Sequence, residues 1–190
     1  MPLLLQEPDQ QTLRDLVCHV LKYGAHKGAL LIPNWQWSET LCKPAAVFVT
    51  LYHQQALKGC IGTCEARAPL WKQTADYAYH SAFSDRRFAP LTAEELAAIR
   101  FTLSVLSPPK ELVVKDEQEL LAQLTPGSHG LILADARRHA VFLPSVWQHF
   151  DEKQAFVAAL KQKGGWPAEY WSQSLQTSIF TTFEVHGEVH

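Results

Sequence analysis

The stretch "ALKGCIGTCEA", Ala56–Ala66, sets Cys60 between Gly59 and Gly62 and adds a second thiol at Cys64. On an extended strand, alternation would put Lys58, Cys60, Gly62 and Cys64 on one face and Gly59, Ile61 and Thr63 on the other. A thiol is a nucleophile only as the thiolate, and a neighbouring cation such as Lys58 favours that anion. Gly62 removes a side chain beside the sulfur, and glycine within a strand marks a bulge or the close approach of a backbone or ligand. The same residues also suit plain packing, because cysteine behaves as a small hydrophobe and glycines let two strands pack. Structural zinc needs four ligands, and Cys60-x3-Cys64 has no matching downstream pair, so no metal is expected. Across a straight strand the two Cα atoms would stand roughly 13 Å apart at about 3.3 Å per residue, outside disulfide reach.

Three further polar residues could join such a site. Asp85 and Arg87 lie two apart in "SDRRF", able to hold a ligand or each other. His129 sits in the turn "PGSHG", where loops carry function more often than regular elements do, and is the candidate base for Cys60. His53, His80, His139 and His149 read as solvated or core-edge residues, and Cys18 and His19 as ordinary helix positions.

The elements that must position these residues follow from periodicity. Leu13, Leu16, Val17, Val20 and Leu21 predict an amphipathic helix over residues 10–23 with Gly24 as its stop. "AAVFVTLYH" and "LKGCIGT" predict paired strands joined through His53, Gln54 and Gln55, without the usual Asn-Gly or Asp-Gly turn. "APLWKQTADYAYHSAF" predicts a second helix with Pro69 in its first turn. Thr92 with Glu95 matches a capping box for a short helix, and "IRFTLSVLS" a half-buried strand. Asp116 with Glu119 opens another helix, "LILAD" and "HAVFLP" form a hairpin, and Asp151 caps a helix ending at Gly164-Gly165. Pro167 begins a short helix, and "LQTSIFTTFEV" closes the chain as one alternating strand. Hairpins with helices between groups of strands give an α+β fold: a mostly antiparallel sheet flanked by helices, with a larger lobe and a smaller hairpin-containing lobe over roughly 110–170 of one domain, 1–190.

Composition bounds the function. The chain has 190 residues, 17 Lys+Arg against 19 Asp+Glu, a net charge of −2 and 47% hydrophobic residues, which describes an ordinary folded protein with no basic footprint for nucleic acid. The opening "MPLLLQEPDQ" lacks a basic n-region and turns polar at Gln6, too soon for a leader or a membrane span. Four sparse cysteines fit a reducing compartment, so the expectation is a cytoplasmic protein.

"LKGCIGT" resembles the Leu-Arg-Gly-Cys-Ile-Gly signature of the AMMECR-domain family, whose prokaryotic members are called AmmeMemoRadiSam system protein A. The resemblance continues in order through "VFVTL", "APL", "SDRRF", "SVLSPP", "PGSHGLIL", "VFLP" and "GGWPAEYW" to "TTFEV". It implies an α+β fold of two lobes whose shared residues gather where the lobes meet, and association with a Memo-type protein and a radical SAM enzyme. Onto this chain it carries Cys60, His129, Gly59, Gly62, Asp85 and Arg87, with Lys58 standing where the family has arginine, Arg86 where it has proline, and Cys64 as an extra thiol. Lysine cannot reproduce arginine's planar fork for carboxylate or phosphate.

Two functions remain open at this point. One is a thiol-dependent enzyme with Cys60 as nucleophile in a cleft between the lobes, tuned by Lys58 and His129, with Asp85 and Arg87 shaping the cleft. The other is a non-catalytic module that binds an unknown small molecule or a protein partner, using tryptophans such as Trp35, Trp37 and Trp166 as anchors. No cofactor is assigned in either.

Overall fold

A computed structural model describes residues 5–189; Leu3 and Leu4 of the opening segment lie outside it. The chain divides into two units: residues 1–107 with 183–190, and residues 108–182. Each has its own four-stranded antiparallel sheet and its own core.

The first unit begins with α1 (Glu7–Lys27), followed by the one-turn α2 (Glu39–Cys42), whose first turn is capped when the Leu41 amide donates to Ser38 Oγ. Strands β1 (Val47–His53) and β2 (Ala56–Gly62) form a hairpin, α3 (Leu70–Phe83) follows, and β3 (Ile99–Leu106) returns alongside β1. The last strand, β8 (Thr182–Glu188), completes the order β2-β1-β3-β8. Odd-numbered Val47, Val49 and Leu51 with Ile99, Phe101, Leu103 and Val105 fill the inner face, against which α3 and then α1 pack. Burying such a face is what makes the period-2 pattern a strand rather than a loop.

The helix α1 is longer than its apolar stripe predicts, because Gly24 does not stop it. Gly24 is buried inside the helix, and a Cβ there would run into the Phe83 ring; the chain turns instead at Gly28, in the left-handed conformation that suits glycine. The β1-β2 turn uses Gln54 and Gln55, both at positive φ, so it has the backbone of a primed hairpin turn without the residues that favour it. Glu95 does reach back to accept from the Thr92 amide, yet only the 3-10 turn Leu96–Ala98 follows.

The second unit carries β4 (Lys110–Leu112), α4 (Glu117–Gln123), β5 (Gly130–Ala134), β6 (His139–Phe142), α5 (Lys153–Lys163) and β7 (Gln176–Phe180), its sheet ordered β4-β7-β5-β6. Asp116 caps α4 by accepting from the Glu119 amide, and the Glu119 side chain accepts from the amide of Lys115, one residue before the cap. Three expectations are corrected here. Glu152, not Asp151, precedes α5, and it makes no side-chain cap. Pro167 opens a turn, closed by the Tyr170 amide on its carbonyl, rather than a helix. "LQTSIFTTFEV" is two strands in different sheets, β7 and β8, since Ile179 and Val185 bury against different cores. Trp147 stacks on Phe156 with ring centres 3.6 Å apart, and buried Trp166 donates to Asp135, so Trp166 is a core residue and not a surface anchor. Trp35 and Trp37 likewise pack on the first unit's core, Trp37 stacking on Trp71 at 4.9 Å.

Candidate functional site

The glycine-cysteine strand β2 is the open edge of the larger sheet, and its main chain is bound from outside by side chains. The Cys60 amide donates to Asp85 Oδ2 at 3.0 Å, and Arg87 Nη2 donates to the Cys60 carbonyl at 3.0 Å. Arg87 also meets Asp85 through two parallel bonds, Nε to Oδ1 at 2.9 Å and Nη2 to Oδ2 at 2.7 Å. The Arg87 guanidinium beside Asp85, helped by the Cys60 and Arg87 amides against the opposing effect of burial, holds the carboxyl at about 2. The same pairing raises the Arg87 pKa, with a further contribution from charge at Cys60. The loop after α3 therefore supplies the partners that an edge strand otherwise lacks.

With both its main-chain groups turned outward, Cys60 faces Thr50 as a non-hydrogen-bonded pair, the kind in which side chains approach most closely. Cys60 Sγ lies 3.2 Å from Thr50 Oγ1 and the thiol is half-buried. The next amide, Ile61, donates to Ser81 Oγ, which in turn donates to the Val49 carbonyl, so α3 is stitched to the hairpin at this point. Gly59 allows that stitch: a Cβ there would overlap the Ser81 carbonyl. A Cβ on Gly62 would overlap the Val47 carbonyl and Phe48. Packing within the unit thus accounts for both glycines.

Lys58 is taken out of the simple alternation. Leu51 lies across from Gly59 and Tyr52 across from Leu57, a bulge that leaves Lys58 as the extra residue. Its ammonium pairs with Glu95 at 2.6 Å, both side chains largely shielded. Burial acts to raise the Glu95 pKa, and the bonds from Lys58 and the Thr92 amide outweigh it, leaving the carboxyl below its ordinary value. His129 belongs to the second unit, where Nδ1 accepts from the Thr125 amide and its carbonyl accepts from Trp147 Nε1 at 2.7 Å. The first bond puts the proton of the neutral ring on Nε2.

The outer face of the larger sheet holds polar residues that motif reading does not reach. Cys60 is across from Thr50, Thr50 across from Thr102, and Thr102 Oγ1 meets His186 Nδ1 at 3.1 Å, one residue from each of four strands. His186 Nε2 lies 3.5 Å from Glu184. The signal is present in the chain as Thr50, Thr102 and His186 flanked by the buried Val49, Leu51, Phe101, Leu103 and Val185, but alternation names a face and leaves the neighbour across the strand open. Among the described residues, no three His, Cys, Asp or Glu side chains form a group able to hold a metal ion, and no helix is long and apolar enough to cross a membrane.

Comparison with known proteins agrees with this architecture. Protein MK0488 of Methanopyrus kandleri is 34% identical over 93% of this chain and 87% of its own length, and a protein of Aquifex aeolicus is 33% identical over 94% and 91%. The crystal structure of protein PH0010 from Pyrococcus horikoshii superposes with a TM-score of 0.87 at 26% identity, covering 95% of this chain and 92% of that one. The AMMECR1 family model matches residues 13–185, which include every element from the middle of α1 to the middle of β8, and the chain belongs to the AMMECR1 family.

Proposed function

We propose that this AMMECR1-family protein binds a small molecule on the outer face of its larger sheet, with the Cys60 thiol as a fixed contact. The observation that carries this reading is the double anchoring of the Cys60 main chain by Asp85 and Arg87, which holds a half-buried thiol beside Thr50. Binding groups locked by their neighbours lose less freedom when a ligand arrives. Lys58, committed to Glu95, supports that contact through the strand and not through direct charge on the thiol.

A second reading, thiol-dependent catalysis by Cys60, is favoured by the half-buried thiol being held on a strand whose main chain is fixed on both sides. It requires a base, for which His129 remains the proposed residue. The resemblance to system protein A adds a Memo-type protein and a radical SAM enzyme as proposed partners, and a cytoplasmic setting keeps the four thiols reduced.

Peptide-mapped alkylation of the native protein tests the site. Cys60 is expected to react before Cys18, whose thiol burial pushes up against the pull of Lys22 and which donates to the Glu188 carbonyl. A Cys60 modified only on unfolding overturns both readings. Conversion of a component of a cell metabolite extract by wild type and not by Cys60→Ser selects catalysis; retention of a bound metabolite without conversion selects binding.

A further inference from the structure

A cavity of about 580 Å³ opens on the first unit at the histidine end of the polar row, lined by Tyr52, Gln55, Arg100, Thr102, His186 and Glu188 among others. This volume lies within the range of small-molecule sites. Its walls come from β1, the β1-β2 turn, β3 and β8, so every lining group sits on one sheet.

Two opposite charges stand in this cavity without using each other. The Val189 amide donates to the Ile99 carbonyl, and Thr102 meets His186, a register that sets Arg100 across from Glu188. Facing Arg and Glu side chains on adjacent antiparallel strands are well placed to pair. Here neither the Arg100 nor the Glu188 side chain makes a hydrogen bond or ion pair with another described residue, although both line the same cavity and a smaller one of about 250 Å³ beside it. His186, by contrast, is held between Thr102 and Glu184, and the Tyr52 pKa is raised by burial and by the nearby Cys60 and Glu184 charges, which keeps its hydroxyl as a donor.

We infer that this cavity is a site for a small zwitterion, an amino acid or dipeptide, whose carboxylate is taken by Arg100 and whose ammonium is taken by Glu188. The guanidinium matches a carboxylate through two parallel bonds, and a carboxylate accepting from an ammonium makes the complementary charge-assisted contact. A simple anion would gain Arg100 but face Glu188, and a simple amine the reverse, so the pair selects ligands carrying both charges. Tyr52 and the imidazole of His186 offer ring surface and polar tips to the body of the ligand. The inference stands on Arg100 and Glu188 and is independent of any role for Cys60.

Isothermal titration with the dipeptide Gly-Tyr, its N-acetyl form and its C-terminal amide tests the assignment on the full chain. The expected result is saturable binding of the free dipeptide that weakens at least tenfold on either modification, and at least tenfold in Arg100→Gln and in Glu188→Gln. Both residues are exposed, so melting temperature and circular dichroism should stay at wild-type values and exclude misfolding as the cause. Absence of saturable binding, or binding that acetylation, amidation and both substitutions leave unchanged, overturns the proposal.

Discussion

The side chain of Asp85 is 6% exposed while that of Arg87 is 58% exposed, so the two ends of the clamp on Cys60 carry unequal weight. Asp85→Ala strips the Cys60 amide and the guanidinium of their acceptor at once, and should cost about 2–3 kcal/mol, the range for a lost charge-assisted bond that leaves a shielded donor unmet. Arg87→Ala should cost about 1 kcal/mol, because water reaches much of what it leaves behind. Arg86 is exposed and makes no side-chain bond to another described residue, so Arg86→Ala should stay within about 0.5 kcal/mol. Chemical denaturation of the three variants checks this order, and equal losses at positions 86 and 87 would remove the clamp from the argument. The pH dependence has a definite sign: with the Asp85 pKa lowered from 3.8 to about 2, its contribution is complete above 3.8 and is lost as pH falls through 2. The wild-type advantage over Asp85→Ala should therefore shrink between those values in acid titrations.

Strand β2 and helix α3 approach closely through their main chains where Gly59 meets Ser81. Gly59 lies under the Ser81 carbonyl, and Ser81 bonds both the Ile61 amide and the Val49 carbonyl, so the helix cannot retreat from an added methyl without giving up those bonds. Gly59→Ala should destabilise by about 1–3 kcal/mol, as overpacking in a closed core does, and should raise hydrogen exchange at the Ile61 amide first. A neutral outcome at both readouts would mean that the close approach relaxes freely. At this scale the pattern of the chain was informative wherever one element buried one face, as in β3, where Ile99, Phe101, Leu103 and Val105 alternate as expected. It misled where a residue had a second role. Gly24 is a helix-interior residue because Phe83 occupies the space of its missing side chain, and Lys58 left the thiol's alternation because the bulge at Leu51 and Tyr52 inserts one residue.

The molecule consists of two units with separate cores, and the second contains a charge that its own core encloses. Lys161 in α5 has no exposed side-chain area; its ammonium pairs with Glu117 of α4 and donates to the Ala168 carbonyl at 3.0 Å, with the Trp171 ring 5.9 Å away. Removing the carboxylate alone leaves an uncompensated buried charge, so Glu117→Gln should cost about 3–5 kcal/mol, whereas Lys161→Met with Glu117→Gln should recover much of that loss. Denaturant melts followed by hydrogen exchange over residues 108–182 check both variants; a Glu117→Gln protein as stable as wild type would contradict the account. The sequence by itself determined the α+β class, most strands and helices and the AMMECR1 family, because hydrophobic periodicity and motif spacing are local properties of the chain. It could not reveal that "LQTSIFTTFEV" divides between two sheets, that Glu95 would take Lys58, or that Arg100 and Glu188 would stand unpaired across from each other. Those outcomes depend on which strands become neighbours and in what register, and burial and hydrogen bonding decide that only when residues far apart in the chain compete for the same partners.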